Sequence, residues 1–406
     1  MHVQISSQNK IASTTTMQGQ GGTKLTNKVA LIVGVTGLVG KELAMNLAAR
    51  PEWKVYGVAR GSPEVGGAKC NFISCDLTDP SETMQKLSLL VDVTHVFWVT
   101  WGSQFPLGSR ECLDQNKAMM SNALNAIIPR AKGLQHVSLQ TGTKHYLPSI
   151  VEEDDIDRGG SSSSSSSSRS VAVYDEDSPR FLPGYNFYYS LEDLLTERLG
   201  SCKVGWSVHR PGLLLGSSRR TAFNFTGSLC VYAAICRHLD LPFFFGGSRM
   251  CWEEAYIDAS DARLVAQQHI WASTHQGVMH ASGEAFNSLN GSSFTWKEMW
   301  PALAAKFQAK VVPEPDDDMF RPGLVFSATM HDKGAVWEEI VEKEGLRKTK
   351  MEELANWWFL DAVFRCPVKI LCSRKKAESR GFTMGFGALE SILYWVDCMK
   401  KDRLIP

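Results

Sequence analysis

Short apolar runs alternate with amphipathic segments along the first half of the chain. The amphipathic segments, such as Leu38–Ala49 and Glu111–Ile128, have the periodicity of helices. The apolar runs predict strands, namely Val29–Val33, Trp53–Ala59, Asn71–Cys75, Thr94–Thr100, Leu134–Leu139 and Val204–His209. Apolar strands that alternate with helices indicate the α/β class and a Rossmann-type doubly wound parallel sheet.

The regular alternation weakens after Pro211, and helical periodicity takes over. We expect residues 29–212 to form a nucleotide-binding Rossmann domain and residues 213–406 to form a smaller, mainly helical lobe over the reactive end of the ligand. The domain and the lobe together would complete a single extended unit. The helices predicted for the lobe are Gly227–His238, Ala262–Ser273, Trp296–Phe307, Met351–Val363 and Leu389–Met399.

Two segments carry no core-forming pattern. Residues 1–28 are rich in Ser, Thr, Gln and Gly and are expected to be a disordered tail. An organelle transit peptide shares that acid-poor composition, although this stretch lacks arginine and a clear amphipathic helix. Residues 151–180 combine acidic stretches with the serine run Ser161–Ser168, and we expect a flexible surface insert there.

Composition narrows the function classes. Lys plus Arg and Asp plus Glu are equal at 43 each, so no global field attracts nucleic acid or an anionic membrane. No apolar run approaches the length of a membrane span. The ten cysteines are scattered without a C-x-x-C pair, and no metal-ligand cluster is seen. A cytoplasmic enzyme with reduced thiols is the expectation.

The run Gly34-Val-Thr-Gly37-Leu-Val-Gly40 stands between the first predicted strand and the first predicted helix. That order brings a backbone close to a pyrophosphate and points a helix N-terminus at its charge. An ordinary tight turn can carry the same glycines. The sequence on balance predicts a dinucleotide site.

Arg60 ends the second predicted strand, where an acidic residue would otherwise accept hydrogen bonds from an adenosine ribose. A cation there favours a 2′-phosphate, although a surface arginine fits equally well. Asp76 and Leu77 end the third predicted strand, from which such folds contact the adenine edge. NADPH is therefore expected rather than NADH.

Two further segments have catalytic character, Gln140–Tyr146 at the end of the fifth strand and Asn186–Asp193 at a predicted helix start. Many nicotinamide oxidoreductases pair a tyrosine with a lysine four residues later, because the ammonium lowers the phenol pKa. Here Glu192 follows Tyr188 by four and Asp193 follows Tyr189 by four. The lysine must come from elsewhere, and Lys144 is the candidate; packing would also explain the tyrosine pair.

These motifs in combination resemble the progesterone 5β-reductase and iridoid synthase-like enone reductases of plants, a branch of the extended short-chain dehydrogenases/reductases. The resemblance covers nearly everything after the tail. It is carried by Gly34–Gly40, Val55–Arg60, Cys75–Asp79, Thr94–Trp101, Thr141–Tyr146, Asn186–Asp193, Val208–Pro211, Leu229–Cys236 and Trp357–Phe359.

The resemblance implies NADPH-dependent reduction of the C=C bond of an activated enone or enal, with hydride delivered to the β-carbon. Tyr188 would stabilise the enolate oxygen and Lys144 would contact the nicotinamide ribose. A carbonyl reductase or epimerase, and a catalytically silent NADP(H)-binding regulator, remain alternatives. Relatives form homodimers, and the apolar Leu229–Ile235 helix fits either an interface or the core.

Substrate contacts are expected from Phe359, from Ile150 in place of an aromatic lid, and from Tyr146, although hydrogen-bonded loop packing explains Tyr146 equally well. The expected cofactor contacts, taken from the glycine turn, the strand ends and the family motifs, are Gly34, Thr36, Gly37, Leu38, Val39, Gly40, Arg60, Asp76, Leu77, Thr100, Trp101, Gln140, Thr141, Lys144, Tyr188, Pro211 and Leu213.

Overall fold

The computed structural model describes residues 28–61, 69–147, 173–182, 184–219, 221–310, 320 and 325–406. The predicted tail, except Lys28, lies outside the described residues. So do Ile150 and residues 151–172 of the predicted insert.

Seven of the described strands form one parallel sheet in the order β3-β2-β1-β4-β5-β6-β9, and β7 pairs with β8 beside it. The doubly wound sheet is confirmed. The strands are β1 (Lys28–Val33), β2 (Trp53–Ala59), β3 (Asn71–Ser74), β4 (His95–Trp98), β5 (His136–Gln140), β6 (Gly205–Pro211), β7 (Leu213–Leu215), β8 (Ala259–Asp261) and β9 (Ser282–Ser288).

Helices cover both faces of the sheet and build the lobe. They are α1 (Leu38–Ala48), α2 (Pro80–Leu87), α3 (Arg110–Ile127), α4 (Phe187–Leu199), α5 (Phe225–His238), α6 (Arg249–Glu253), α7 (Ala262–Thr274), α8 (Trp296–Phe307), α9 (Phe326–Thr329), α10 (Gly334–Lys343), α11 (Met351–Leu354), α12 (Trp357–Phe364), α13 (Lys375–Ser379) and α14 (Ala388–Lys401).

Strand β1 shows how the sheet divides the core. Ala30 and Ile32 point into a core that also contains side chains of α1, α7 and the lobe. Leu31 and Val33 point into a second core with side chains of α3 and α4. Because successive side chains of a strand face opposite ways, an uninterrupted apolar run suits a strand that is buried on both faces.

The chain after Pro211 departs from the predicted division at residue 212. Helix α7 packs on β5, β6 and α1, and β9 adds to the sheet beside β6. These elements therefore belong to the Rossmann layer rather than to the lobe. The predicted helix Met351–Val363 is two helices, because Asn356 caps α12 by accepting a hydrogen bond from Phe359 N.

Helix α5, which suited either an interface or the core, lies in the core. Every residue from Phe225 to Cys236 is buried. Its packing partners include α10, α12, α8, α11 and α14 of the same chain. The apolar character of Leu229–Ile235 is thus explained by packing within this chain.

The end of the predicted flexible insert is part of the packed structure. Tyr174 pairs its backbone with Leu371 and Ser373, and its ring stacks on Tyr146 with centroids 5.2 Å apart. Buried Glu176 accepts a hydrogen bond from Asn287 N at 2.7 Å. The predicted flexible insert therefore does not extend to half-buried Tyr174 and buried Glu176, because these side chains contribute to a polar cluster beside β9.

Four buried histidines lie in the sheet or in the helix that packs on it: His95 in β4, His136 in β5, His209 in β6 and His269 in α7. His136 contacts Ser207 Oγ, which also contacts His209, while Ser138 Oγ contacts His269 Nδ1 at 2.7 Å. Burial lowers the pKa of His95 and of His209 to about 3 and that of His136 to about 4, and it lowers the pKa of His269 as well. These side chains are neutral in the folded protein at pH 7.

We expect the stability of the protein to fall steeply as the pH drops below about 6.5. The unfolded chain binds a proton at each of these histidines near its ordinary pKa, whereas the folded chain binds it only at much lower pH. Each buried histidine should contribute about 1.4 kcal/mol of lost stability per pH unit. Urea unfolding between pH 7.5 and 5 measures this slope, and His209→Gln should make it shallower. A free energy of unfolding that is constant over this range would contradict the interpretation.

Candidate functional site

The order of the sheet reverses between β1 and β4, and the glycine turn lies at this crevice. Gly34 follows β1 with φ +99°, and a Cβ at this position would lie 2.7 Å from Thr100 Cβ and 2.8 Å from Val99 O. Only glycine adopts this backbone with so close a neighbour. The turn therefore runs directly against the end of β4, where open α/β sheets bind their ligands.

Two further glycines let α1 start tightly against the turn. A Cβ on Gly40 would lie 2.1 Å from Gly34 O. Gly37 is the N-cap of α1 and makes no side-chain capping bond, so the first N–H groups of the helix are left for another acceptor. Leu38 and Val39 are buried against the core, so their expected contribution is through the backbone.

A loop after β7 borders the same turn. Ser218 Oγ donates to Thr36 O at 3.0 Å, and Lys41 Nζ donates to Ser217 O at 3.3 Å. The sequence reasoning did not include Lys41, Ser217 or Ser218. A lysine in the first turn of a helix is unfavourable with the helix dipole, and this unfavourable placement could have identified Lys41 from the sequence.

Arg60 and Asp76 lie just after the ends of two neighbouring strands, β2 and β3. Arg60 is exposed just after β2, and Ser74 Oγ donates to its carbonyl at 3.0 Å. Hydrogen bonds from Thr78 hold the pKa of Asp76 below its ordinary value, and the Arg60 cation adds to this effect. Leu77 is buried, and Asn122 donates to its carbonyl oxygen. Arg60 is thus a cation at the expected edge of the sheet.

Lys144 lies in a 3₁₀ turn, Thr143–Tyr146, that follows β5. Its Nζ is buried and has no hydrogen-bond partner among the described residues. Burial lowers the pKa of the Lys144 ammonium from its ordinary value. A hydrogen-bond acceptor stabilises a buried, unpaired ammonium more than it stabilises an ammonium that water already solvates.

Tyr188 is held beside this turn by Asn186, the N-cap of α4. Asn186 Oδ1 accepts from Tyr188 N at 3.1 Å, and Asn186 Nδ2 donates to Lys144 O at 3.4 Å. A Cβ on Gly142 would lie 3.1 Å from the Tyr188 phenol oxygen and 3.4 Å from Pro211 O. One asparagine therefore joins the tyrosine helix to the lysine turn, and burial raises the Tyr188 pKa.

The second tyrosine of the pair has a different role. Tyr189 donates its hydroxyl to His145 O at 2.6 Å and accepts from Phe181 N at 3.1 Å. These two bonds hold the lysine turn in place, and they occupy the Tyr189 hydroxyl with partners inside the protein. The geometry thus favours Tyr188 over Tyr189 for contact with a ligand.

The other expected cofactor residues border the same strand ends. Gln140 ends β5 with a buried Oε1 that has no partner among the described residues, and Thr141 N donates to His209 O. Pro211 ends β6, and Leu213 is buried in β7. Thr100 follows β4 and contacts the glycine turn.

Aromatic rings form a stacked series from α4 to the lobe. Trp101 stacks on Phe187 at 5.9 Å and on Phe223 at 5.1 Å between centroids, and Phe223 lies 4.9 Å from Phe359. Trp358 borders Phe223 and is 56% exposed. Phe223 was missed, because an isolated aromatic residue in a polar loop gives no periodic signal.

Tyr146, an expected substrate contact, is hydrogen-bonded within the protein. Its side chain is fully buried; the hydroxyl donates to Asn287 Oδ1 at 2.7 Å and accepts from Arg210 Nη1 at 3.1 Å. These bonds favour loop packing as the role of Tyr146, which anchors the lysine turn to β9 and β6. Phe359 is half-buried at the end of the aromatic series.

A family model for a PRISE-like Rossmann-fold domain matches residues 76–357. The chain belongs to the PRISE-like family. Its similar relatives include an (S)-8-oxocitronellyl enol synthase from Camptotheca acuminata, 42% identical, and a 3-oxo-Δ(4,5)-steroid 5β-reductase from Arabidopsis thaliana, 40% identical. Each alignment covers 93% of both chains. This PRISE-like chain is accordingly an oxidoreductase.

Solved structures support the fold of the PRISE-like chain. A UDP-glucose 4-epimerase from Thermus thermophilus in complex with NAD superposes with a TM-score of 0.57 at 17% identity, covering 92% of this chain and 99% of the epimerase. This similarity is one of fold only. Within the described residues, none of the helices is long and apolar enough to cross a bilayer.

The glycine at position 40 allows a sharp test of the turn. Helix propensity alone predicts that Gly40→Ala stabilises α1 by about 1 kcal/mol. The clash with Gly34 O instead predicts a loss of about 1–3 kcal/mol in the free energy of unfolding. Gly334→Ala in α10 is the control, because a Cβ there meets nothing within 4 Å. Equal unfolding midpoints in urea for the two variants would contradict the tight approach.

Proposed function

We propose that this PRISE-like oxidoreductase carries out the NADPH-dependent 1,4-reduction of the C=C bond of activated enones or enals. The observation that carries the proposal is that Asn186 joins the turn of the buried, unpaired Lys144 to the start of the Tyr188 helix, and that the Tyr188 phenol oxygen borders Gly142 in the segment between β5 and this turn. The Arabidopsis relative supports it, since its name specifies reduction of a 3-oxo-Δ(4,5)-steroid, which is a conjugated enone.

The residues present suit a nicotinamide dinucleotide. Gly34 and Gly40 let the turn and the start of α1 pack closely together at the end of β4, and the uncapped start of α1 favours the negative charge of a pyrophosphate. The orphaned Lys144 Nζ suits a ribose hydroxyl, and exposed Arg60 suits a 2′-phosphate. When bound, the cofactor supplies the hydride.

Tyr188 acts as a hydrogen-bond donor to the carbonyl oxygen of the enone. Negative charge develops on that oxygen as the β-carbon is reduced, and a positioned donor stabilises it. The raised pKa supports this role, because the phenol stays protonated at neutral pH. A donor suffices for an enolate, whereas an alkoxide would require full proton transfer.

Lys144 orients the nicotinamide ribose and places positive charge near the phenol. Lys144 lies in a short anchored turn and Tyr188 in the capped first turn of α4, so little reorganisation is needed during reaction. Trp101, Phe223 and Phe359 supply an apolar wall for the hydrocarbon part of the substrate. The wall favours hydrophobic enones over sugar nucleotides.

The reaction type is tested with NADPH and 2-cyclohexen-1-one. We expect cyclohexanone as the product, identified by gas chromatography. Tyr188→Phe should lower kcat by about 10²–10³ and leave the NADPH dissociation constant nearly unchanged, because the phenol acts on the transition state.

Tyr189→Phe is the matched control, since it removes a hydroxyl that serves the fold. It should lower the unfolding temperature and change kcat far less than Tyr188→Phe does. Formation of the allylic alcohol would indicate carbonyl reduction. Tight NADPH binding without turnover on a panel of enones would indicate a silent regulator, and either result would refute the proposal.

Cofactor choice is tested at Arg60. Removing a charged donor to a phosphate costs about 1.5–3 kcal/mol, so Arg60→Ala should raise the KM for NADPH by roughly tenfold to a hundredfold. The KM for NADH should stay the same, because NADH lacks the 2′-phosphate. Lys54→Ala, at the opposite end of β2, is the control. An equal effect on both cofactors would show that Arg60 does not read the 2′-phosphate.

A further inference from the structure

Glu192 occupies the position on α4 where many related oxidoreductases carry their lysine, four residues after the tyrosine. Residues four apart share one face of a helix, so Glu192 lies one turn from Tyr188 on the same side. Its side chain is only 8% exposed. A buried carboxylate is costly unless it is paired, so its partners should reveal what it does.

Three basic side chains surround this carboxylate. Glu192 Oε1 accepts from Arg210 Nη2 at 3.4 Å and lies 3.4 Å from His145 Nδ1, while Oε2 accepts from Arg180 Nη2 at 3.0 Å. Burial alone would raise the pKa of Glu192, but His145, Arg210 and Arg180 together hold it below its ordinary value. The carboxylate is therefore charged and saturated with partners.

Each partner belongs to a different part of the site. His145 adjoins Lys144 in the 3₁₀ turn. Arg210 adjoins Pro211 at the end of β6, and it also donates to Tyr146 OH and to Glu176 O. Arg180 comes from the segment 173–182 and is only partly exposed. Through Arg210, a single carboxylate on the tyrosine helix is thus connected to Tyr146 of the lysine turn and to the end of β6.

Asn186, six residues before Glu192, joins the start of α4 to the lysine turn through its bonds to Tyr188 N and Lys144 O. The lysine turn is therefore fixed to α4 at two points, on both sides of the tyrosine along the helix. Two anchor points restrict both the rotation of the lysine turn relative to α4 and the distance between them. The position of Lys144 relative to the phenol should depend on both.

We infer that Glu192 is a positioning residue, which sets the geometry of Lys144 and Tyr188 in place of the lysine that this helix lacks. The inference rests on the proposed function for its catalytic consequence. Glu192 itself touches neither the ligand nor the reacting atoms. Its effect passes through Arg210, which donates to Tyr146 of the lysine turn and adjoins Pro211.

The test compares Glu192→Gln with Asp193→Asn. Both changes remove one negative charge from α4, and Asp193 shares Arg180 at 2.7 Å, but the Asp193 side chain is 64% exposed and contacts neither His145 nor Arg210 among the described pairs. Glu192→Gln should lower kcat for the enone by about tenfold to a hundredfold with little change in the enone KM, because small displacements of reacting groups have effects of this size. Asp193→Asn should change kcat by less than about twofold.

Both variants are assayed at a temperature where circular dichroism shows them folded. The NADPH dissociation constant, measured by fluorescence, gives a readout that does not depend on enone chemistry. It should rise several-fold in Glu192→Gln only. If the parent protein reduced no enone, the proposed function would fail, while this binding difference would still test the positioning role.

Glu192→Asp keeps the charge but shortens the side chain, and it serves if Glu192→Gln does not fold. We expect it to retain Arg210 as a partner and to show an intermediate loss of kcat, since the shorter side chain cannot keep all three partners. Values of kcat and NADPH affinity within twofold of those of Asp193→Asn, for the folded Glu192 variant, would reduce Glu192 to a structural role and overturn the inference.

Discussion

The arrangement of the site depends on a buried ammonium group that the protein does not pair. Moving a charged lysine out of water is unfavourable, and the described part of the chain offers no acceptor to Lys144 Nζ. Desolvation accordingly lowers its pKa. Such a group is tolerated where a ligand completes its coordination. The hydrogen-bond free energy that the ammonium does not gain on folding is then gained when the ligand binds, and it favours one orientation of that ligand.

Sheet topology explains why the necessary groups meet. The glycine turn follows β1, Lys144 follows β5 and Pro211 ends β6, and the carboxyl ends of parallel strands share one edge. Tyr188 reaches that edge from a helix instead. Its placement therefore requires specific polar bonds, which Asn186 and Glu192 provide. In the proposed site, contacts between two elements take the place of a tyrosine and a lysine spaced on one helix.

The sequence patterns predicted the layers of the fold because strands buried on both faces are continuously apolar. They did not predict β9, whose Gly283 and Glu284 interrupt any apolar run and whose pairing comes from β6. Tyr146 and Tyr189 carry the same chemical groups as Tyr188, and only their partners, Asn287 and His145, distinguish them. Long-range partners of this kind have no local signal. The place of Lys144 at the end of β5 made it the candidate lysine, whereas the choice of Tyr188 over Tyr189 rested on family resemblance.

The central claim is that Lys144 and Tyr188 act on one bound cofactor and substrate pair. A crystal structure of the protein with NADP⁺ and an unreactive enone analogue tests it most directly. The account predicts Lys144 Nζ within hydrogen-bond distance of the nicotinamide ribose and the Tyr188 hydroxyl within hydrogen-bond distance of the analogue's carbonyl oxygen. A ribose bound away from Lys144, or a carbonyl oxygen held by other groups with the phenol turned away, would contradict it.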